Sequence, residues 1–220
     1  MRYAHRRGIA GYAAVGQDEE GSALAYVQPL SDADAPELVP VFAEYERTRG
    51  FTPNSVRTMA RRPHIAKAFA ELNRAVLYEG TVDPALKMLV ATIASTAAGC
   101  RYCQAHMITR ASHYDVEAAK LDSVWEYETS PLFSEPERAA LRLAHAAALQ
   151  PSEAGPEHFA AVREHFDDGE IVELVSTVAL FGFLNRWNDT MATELETLPA
   201  EVATRHLAAG GWSAGKHAAA

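Results

Sequence analysis

Cysteine is scarce: Cys100 and Cys103 are the only two among 220 residues. That excludes the disulfide framework on which small secreted domains depend. Long apolar runs are also missing. The longest candidate, Ile171 to Phe183, is interrupted by Glu173 and Ser176, so nothing approaches the roughly 20 residues of a membrane-spanning helix and no membrane partner is expected. Positive charge is in deficit, with 20 Lys and Arg against 29 Asp and Glu and a net charge of −9. Such a chain repels phosphate backbones, which argues against a nucleic-acid partner. Alternating β-branched runs and low-complexity linkers are almost absent, which leaves a helical chain without an internal boundary.

What remains is a composition of 48% hydrophobic and 22% charged residues, enough for one globular domain with a substantial core. Arg2, Arg6 and Arg7 ahead of Gly8–Gly16 faintly mimic a signal peptide. That stretch, however, holds three glycines and no leucine and leads into Gln17–Gly21 rather than a small-residue cleavage site. The expectation is a flexible extension over residues 1–25 and a single domain over 26–220, in a cytoplasmic protein.

The fold class expected is all-α. Spacing and breakers predict helices from Asp34 to Arg49, Ser55 to Arg61 and His64 to Tyr78, with Pro63 suited to a start and Gly80 to a stop. Asp83-Pro84 supplies a cap and a first-turn proline before the stripe Leu86, Leu89, Val90, Ile93 and Ala94, which Gly99 ends. A further helix starts at the cysteines, and helix continues or restarts over Ala111 to Leu121. Ser134-Glu135-Pro136-Glu137 caps Arg138–Leu149. Helices at Gly155–His165 and Gly169–Asn188 complete the core, and the tail from Gly210 reads as a loop that anchors Trp212 on the surface.

An internal echo accompanies this order. Shifting Leu86–Met107 by 85 residues places Leu89-Val90, Thr92, Ala94 and Arg101 on Leu174-Val175, Thr177, Ala179 and Arg186, and Cys100-Arg101-Tyr102-Cys103 on Asn185-Arg186-Trp187-Asn188. The reading is two pseudo-repeated lobes with the cysteines in only one, which favours an active site there.

Chemistry concentrates in Cys100-Arg101-Tyr102-Cys103-Gln104-Ala105-His106. At helical spacing Cys100, Cys103 and His106 fall on one face. A helix N-terminus and Arg101 favour a thiolate, the nucleophilic form of cysteine, and His106 can take or return its proton. Two other readings stand beside this redox dithiol. One is a zinc site completed by His113 or His64, with ligands crowded on one helix. The other is a pair of inert buried thiols.

The CxYCxxH core after an apolar helix is joined by three further segments: Trp125-Glu126-Tyr127-Glu128-Thr129-Ser130-Pro131-Leu132-Phe133, Glu137-Arg138-Ala139-Ala140-Leu141, and Phe183-Leu184-Asn185-Arg186-Trp187-Asn188-Asp189. From about Tyr26 to Lys216 the chain resembles the carboxymuconolactone decarboxylase family in its alkylhydroperoxidase AhpD-like branch. The resemblance implies an all-helical, self-associating protein, usually a trimer or hexamer with a dimer also open. It implies reduction of organic hydroperoxides by Cys103 as the attacking thiol and Cys100 as the resolving one, with His106 assisting, no cofactor and no metal, and recycling by an external dithiol reductant of unknown identity.

The sequence departs from that pattern in three places. Met88 stands twelve residues before Cys100, where the peroxidases carry a glutamate that starts a proton relay. His106 follows Cys103 by three residues rather than four, with Met107 in the fourth place, and Tyr102 replaces a histidine between the cysteines. Glu79, Glu71 or Glu173, the 85-residue counterpart of Met88, are the candidates for a substitute acid. The decarboxylase branch would instead bind a small lactone carboxylate through Arg101, His106, Arg110 and His113, leaving the dithiol unexplained. A non-catalytic oligomeric scaffold is the third reading.

Among other residues, Asn185, Arg186, Asn188 and Asp189 are expected to cap their helix and pair with the other lobe, with Asn185 or Asn188 lining the thiol pocket as the functional alternative. Trp187 and Tyr102 are expected in core or subunit contacts. His5, His145, His158, His165, His206 and His217 have no companions at ligand spacing and are placed on the surface or left unassigned.

Overall fold

Helix starts in this chain are set by prolines and short polar caps. The structure, a computed structural model, describes residues 25–218, and the flexible extension and leader-like segment expected over residues 1–25 lie outside them save for Ala25. Ten α-helices follow: α1 Val39–Arg49, α2 Asn54–Met59, α3 Pro63–Tyr78, α4 Pro84–Ala97, α5 Arg101–His113, α6 Ala118–Asp122, α7 Glu135–Ala148, α8 Pro156–Arg163, α9 Asp168–Met191 and α10 Thr197–Leu207. No strand occurs among the described residues. Asp83 accepts from the Ala85 N–H ahead of α4, while Ser134 with Glu137 and Asp167 with Glu170 form capping boxes at α7 and α9. Each cap occupies backbone donors that a helix start would otherwise leave open.

Burial then selects the centre. Ten consecutive residues of α4, Leu86 to Ser95, and ten of α5, Tyr102 to Ala111, are buried. Helices buried all round belong in the middle of a domain. Accordingly α4 packs against α5, α7 and α9, and α5 packs against α9 and α10. The buried hydroxyls do not disturb this arrangement, because Thr92, Ser95 and Thr109 donate to the carbonyls of Met88, Ala91 and Ala105 one turn earlier at 2.7–2.8 Å.

Gly99 makes the decisive turn. Its φ of +76° lies in the left-handed region and nothing lies within 4 Å of where a Cβ would stand, so glycine is required for its conformation rather than for space. The turn ends α4 and leaves Cys100 as the N-cap of α5. The echoed segment has no such break, since α9 runs unbroken through Asn185 and Asn188. Cys103 and its 85-residue counterpart Asn188 are in contact in the core.

Several boundaries differ from expectation. The stretch from Asp34 begins as a 3-10 turn at Pro36–Leu38 before α1, and Ala111–Leu121 divides at Tyr114–Glu117, where Asp115 takes a positive φ. The whole of α10 escaped the sequence reading; its Val202, Ala203 and Leu207 are buried, but the stretch Thr197-Leu198-Pro199 hides its start. Trp212 anchors the tail as expected, although it is sunk to 9% exposure with its indole N–H donating to the Arg101 carbonyl at 3.3 Å.

One charge pair ties three elements together. Lys87, 1% exposed, donates to the Val76 and Glu79 carbonyls at 3.0 and 2.6 Å and pairs with Glu173 on α9 at 2.7 Å. Glu173 also accepts from the Thr81 and Val82 N–H groups. Removing one member of a buried pair leaves the other uncompensated. Glu173→Gln is expected to lower unfolding free energy by about 3 kcal/mol in urea titrations; a loss near the 0–1 kcal/mol typical of surface pairs would show that the two carbonyls alone satisfy Lys87.

Candidate functional site

The first turn of α5 carries the dithiol. Cys100 and Cys103 are both free and buried, at 0% and 2% exposure. The positive end of the helix favours an anion there, yet burial dominates and pushes the Cys103 thiol well up, with the adjacent Cys100 adding to the effect. The Asn188 amide works in the other direction, donating to Cys103 Sγ at 3.3 Å. Arg101, expected to stabilise the thiolate, is turned away from it and donates to the Ser213 carbonyl and hydroxyl at 2.8 and 2.7 Å.

One turn on, His106 meets an acid that the sequence reading did not name. Its Nε2 lies 2.7 Å from Glu196 Oε2, while Glu196 Oε1 accepts from the Tyr102 hydroxyl at 3.0 Å and from the Asn54 N–H. The Tyr102 and His106 rings stack with centroids 4.3 Å apart. Burial opposes ionisation of Glu196, but His106 and the backbone N–H of Asn54 outweigh it and hold the carboxyl below its usual range. Burial, helped by the neighbouring Glu196 charge, keeps the Tyr102 hydroxyl protonated and therefore a donor. The contact at Nε2 holds the His106 ring in orientation beside the cavity.

A cavity of about 30 Å³ opens at this point, lined by Cys103, His106, Tyr102 and Asn188 together with Phe69, Phe181 and Leu184. It is large enough for a water or the head of a small molecule. Of the two cysteines only Cys103 lines it; Cys100 is set behind.

The substitute acids lie elsewhere. Glu173 is committed to Lys87, while Glu79 is exposed with its carboxylate on Arg74, and Glu71 is exposed as well. His64 and His113 are also exposed, remote in character from the buried thiols. The four groups of the decarboxylase reading do not converge, since Arg101 turns to Ser213, Arg110 to the Thr48 carbonyl and His106 to Glu196. Asn188 reaches the thiol, whereas Asn185 is buried away from this cavity with both amide atoms unpartnered. Trp187 stacks on the half-exposed Phe183. His206 and His217 are buried rather than superficial, on Asp122 and the Thr193 carbonyl. No local signal marks Glu196; it lies 90 residues beyond His106, immediately before α10.

The chain resembles known proteins in sequence and fold. The profile of the carboxymuconolactone decarboxylase family matches residues 63–146, a span that holds both cysteines and His106 and stops short of Glu196. The debrominase Bmp8 is 35% identical with a TM-score of 0.78, covering 84% of this chain and 99% of its own. A cysteine-to-alanine variant of Bmp8 has been solved with 2,3,4-tribromopyrrole. A peroxidase-related protein with an alkylhydroperoxidase AhpD core, from Ralstonia eutropha JMP134, shares the fold at TM-score 0.72 and 22% identity, covering 82% of this chain and 95% of its own. The uncharacterized protein YnjA of Escherichia coli (strain K12) is 28% identical over 110 residues, which are 50% of this chain and 60% of YnjA. Among the described residues no helix is long and apolar enough to cross a membrane.

The Glu196 carboxyl has a folded pKa below its unfolded value of about 4.5. Its stabilisation is therefore fully present above that value and is lost as pH falls through the lower, folded one. Thermal unfolding followed from pH 6 to pH 3 is expected to fall more steeply for the native protein than for Glu196→Gln; parallel curves would contradict an ionised Glu196 in the fold.

Proposed function

This chain belongs to the carboxymuconolactone decarboxylase family, with the AhpD-like all-helical fold, and we propose that it is a dithiol-dependent reductase of small organic hydroperoxides. The observation that carries the reading is that Cys103 lines the cavity beside His106 while Cys100 lies directly behind it. In the resting protein the Cys103 thiol is protonated, so attack requires a base. His106, oriented by Glu196, is the group on the same cavity wall able to take that proton.

The Cys103 thiolate then attacks the terminal peroxide oxygen. The O–O bond breaks, the alkoxide leaves and takes a proton as the alcohol, and Cys103 becomes a sulfenic acid. The Cys100 sulfur next attacks Cys103, water departs and a disulfide forms. In sum, one hydroperoxide and two thiols give one alcohol, one water and one disulfide, with two electrons passed to the peroxide. The Asn188 amide steadies charge on Cys103 sulfur throughout. An external dithiol returns the pair to the reduced state, which suits a reducing compartment such as the cytoplasm.

The likeness to a debrominase over nearly its full length favours a second reading on the same thiols. Cys103 would attack the halogen of a halogenated aromatic ring, the ring carbon would take a proton, and Cys100 would displace halide from Cys103 to close the disulfide. Both reactions are two-electron reductions, and they part only in the bond broken.

Self-association belongs to the proposal as well. Val172, Val175 and Phe183 form an exposed apolar stripe at helical spacing on α9; a monomer in sedimentation at micromolar concentration would remove it. The chemistry is tested by mass spectrometry of the reduced protein after one equivalent of cumene hydroperoxide. The expected product has lost two hydrogens, Cys103→Ser is unreactive, and Cys100→Ser stops at a sulfenic acid trapped by dimedone. Persistent thiols with hydroperoxide, but bromide release from a brominated pyrrole, would select the second reading. Persistent thiols with both would overturn the dithiol mechanism.

A further inference from the structure

The thiol cavity adjoins a larger one. About 530 Å³ of space lies among α1, α3 and α5, within the range of small-molecule sites, and Tyr45, Arg49 and Asn73 line both this outer cavity and the inner one that reaches Cys103. Four arginines line it; Arg47 and Arg74 are exposed and paired with Glu44 and Glu79, whereas the other two are buried. Arg49 and Arg110 are 8% and 7% exposed, and among the described residues neither has a carboxylate within 4.0 Å. Burying two guanidinium groups without a counter-charge is costly, and in a chain of net charge −9 their lack of an acid is conspicuous.

Their present partners do not use them up. Arg49 donates to the Tyr78 hydroxyl at 2.8 Å, and its guanidinium stands over the Tyr45 ring, 5.2 Å from the centroid. Arg110 donates to the Thr48 carbonyl at 3.0 Å, at the end of α1, and to the Tyr114 hydroxyl at 3.5 Å, and it lies over the Tyr78 and Tyr114 rings. A capping role for α1 accounts for the first bond, yet the buried Arg110 Nε–H has no partner, and neither has the buried Tyr45 hydroxyl. Burial pushes the Tyr45 ionisation up to about 12, against the pull of Arg49, so this hydroxyl stays a donor. The unsatisfied groups are thus all donors, and a buried donor without an acceptor costs its desolvation. Of the acids on the rim, Glu44 is paired with Arg47 and Glu71 is exposed.

We propose that the outer cavity binds small organic acids, their carboxylate held by Arg49, Arg110 and the Tyr45 hydroxyl and their body against Tyr78 and Tyr114. Arginine's planar fork suits a carboxylate. Because the wall of Tyr45, Arg49 and Asn73 is shared, an acid seated there presents its far end toward Cys103. The substrate class is then a hydroperoxide that carries a carboxylate, a statement that rests on the dithiol reading above, whereas the binding site does not.

Binding is measured without chemistry by calorimetric titration of the Cys100→Ser/Cys103→Ser protein with benzoate and 4-phenylbutyrate, each against its neutral amide. At least one acid is expected to bind about tenfold or more tightly than its amide, with Arg49→Gln and Arg110→Gln each weakening it by about tenfold and Arg110→Lys by less. Circular dichroism and melting confirm that each variant is folded. Equal binding of acid and amide, absence of acid binding by millimolar concentration, or unchanged affinity in a folded arginine variant would overturn the site. A second arm compares oxidation of the native thiols by a carboxylate-bearing alkyl hydroperoxide and its methyl ester, with KM expected to be about tenfold lower for the acid. Acid binding with inert thiols would fell the dithiol reading and leave the site; thiols oxidised equally by acid and ester, without acid binding, would do the reverse.

Discussion

A single buried carboxylate, Glu196, joins the parts of the molecule on which the site depends. It stands at the N-terminus of α10, receives the Asn54 N–H from the start of α2, and holds Tyr102 and His106 on α5. Three helices from distant parts of the chain therefore meet on two oxygen atoms. A buried charge is tolerated only when its hydrogen-bonding capacity is filled, and here the filling groups belong to the helix that carries the cysteines. The same contacts that make the carboxylate tolerable fix the histidine beside the reactive thiol.

The dithiol is governed by two opposing influences. The start of α5 and the Asn188 amide favour negative charge on Cys103, while burial among Phe69, Phe181 and Leu184 opposes it. Burial prevails and pushes the thiol well up. Cys100, at the N-cap and wholly buried, does not line the thiol cavity.

Much of this was legible in the sequence where the signal is local. The caps Asp83 and Ser134 and the break at Gly99 depend on neighbours within a turn or two and stand where the spacing put them; of the face expected for Cys100, Cys103 and His106, only Cys103 and His106 line the cavity. The 85-residue echo reached further and matched Cys103 with Asn188, the residue now in contact with it. What the sequence concealed depends on long-range packing. Glu196 sits in a Thr-Glu-Leu-Glu-Thr-Leu-Pro stretch with no apolar periodicity, so neither α10 nor its acid was visible. The same echo points to Glu173 as the acid, but the buried Lys87 claims it. Arg101 illustrates the remaining limit, because adjacency along the chain said nothing of Ser213, 112 residues away, which takes its guanidinium.

In the proposed reaction Glu196, through His106, governs proton removal from Cys103. Stopped-flow measurement of the single-turnover oxidation of Cys103, in the Cys100→Ser background with and without Glu196→Gln, tests it directly. Loss of a partner that orients a working histidine typically costs 10–100-fold, and the account predicts a slowing of about that size in a variant that still melts cooperatively. An unchanged oxidation rate in the folded Glu196→Gln protein would contradict it.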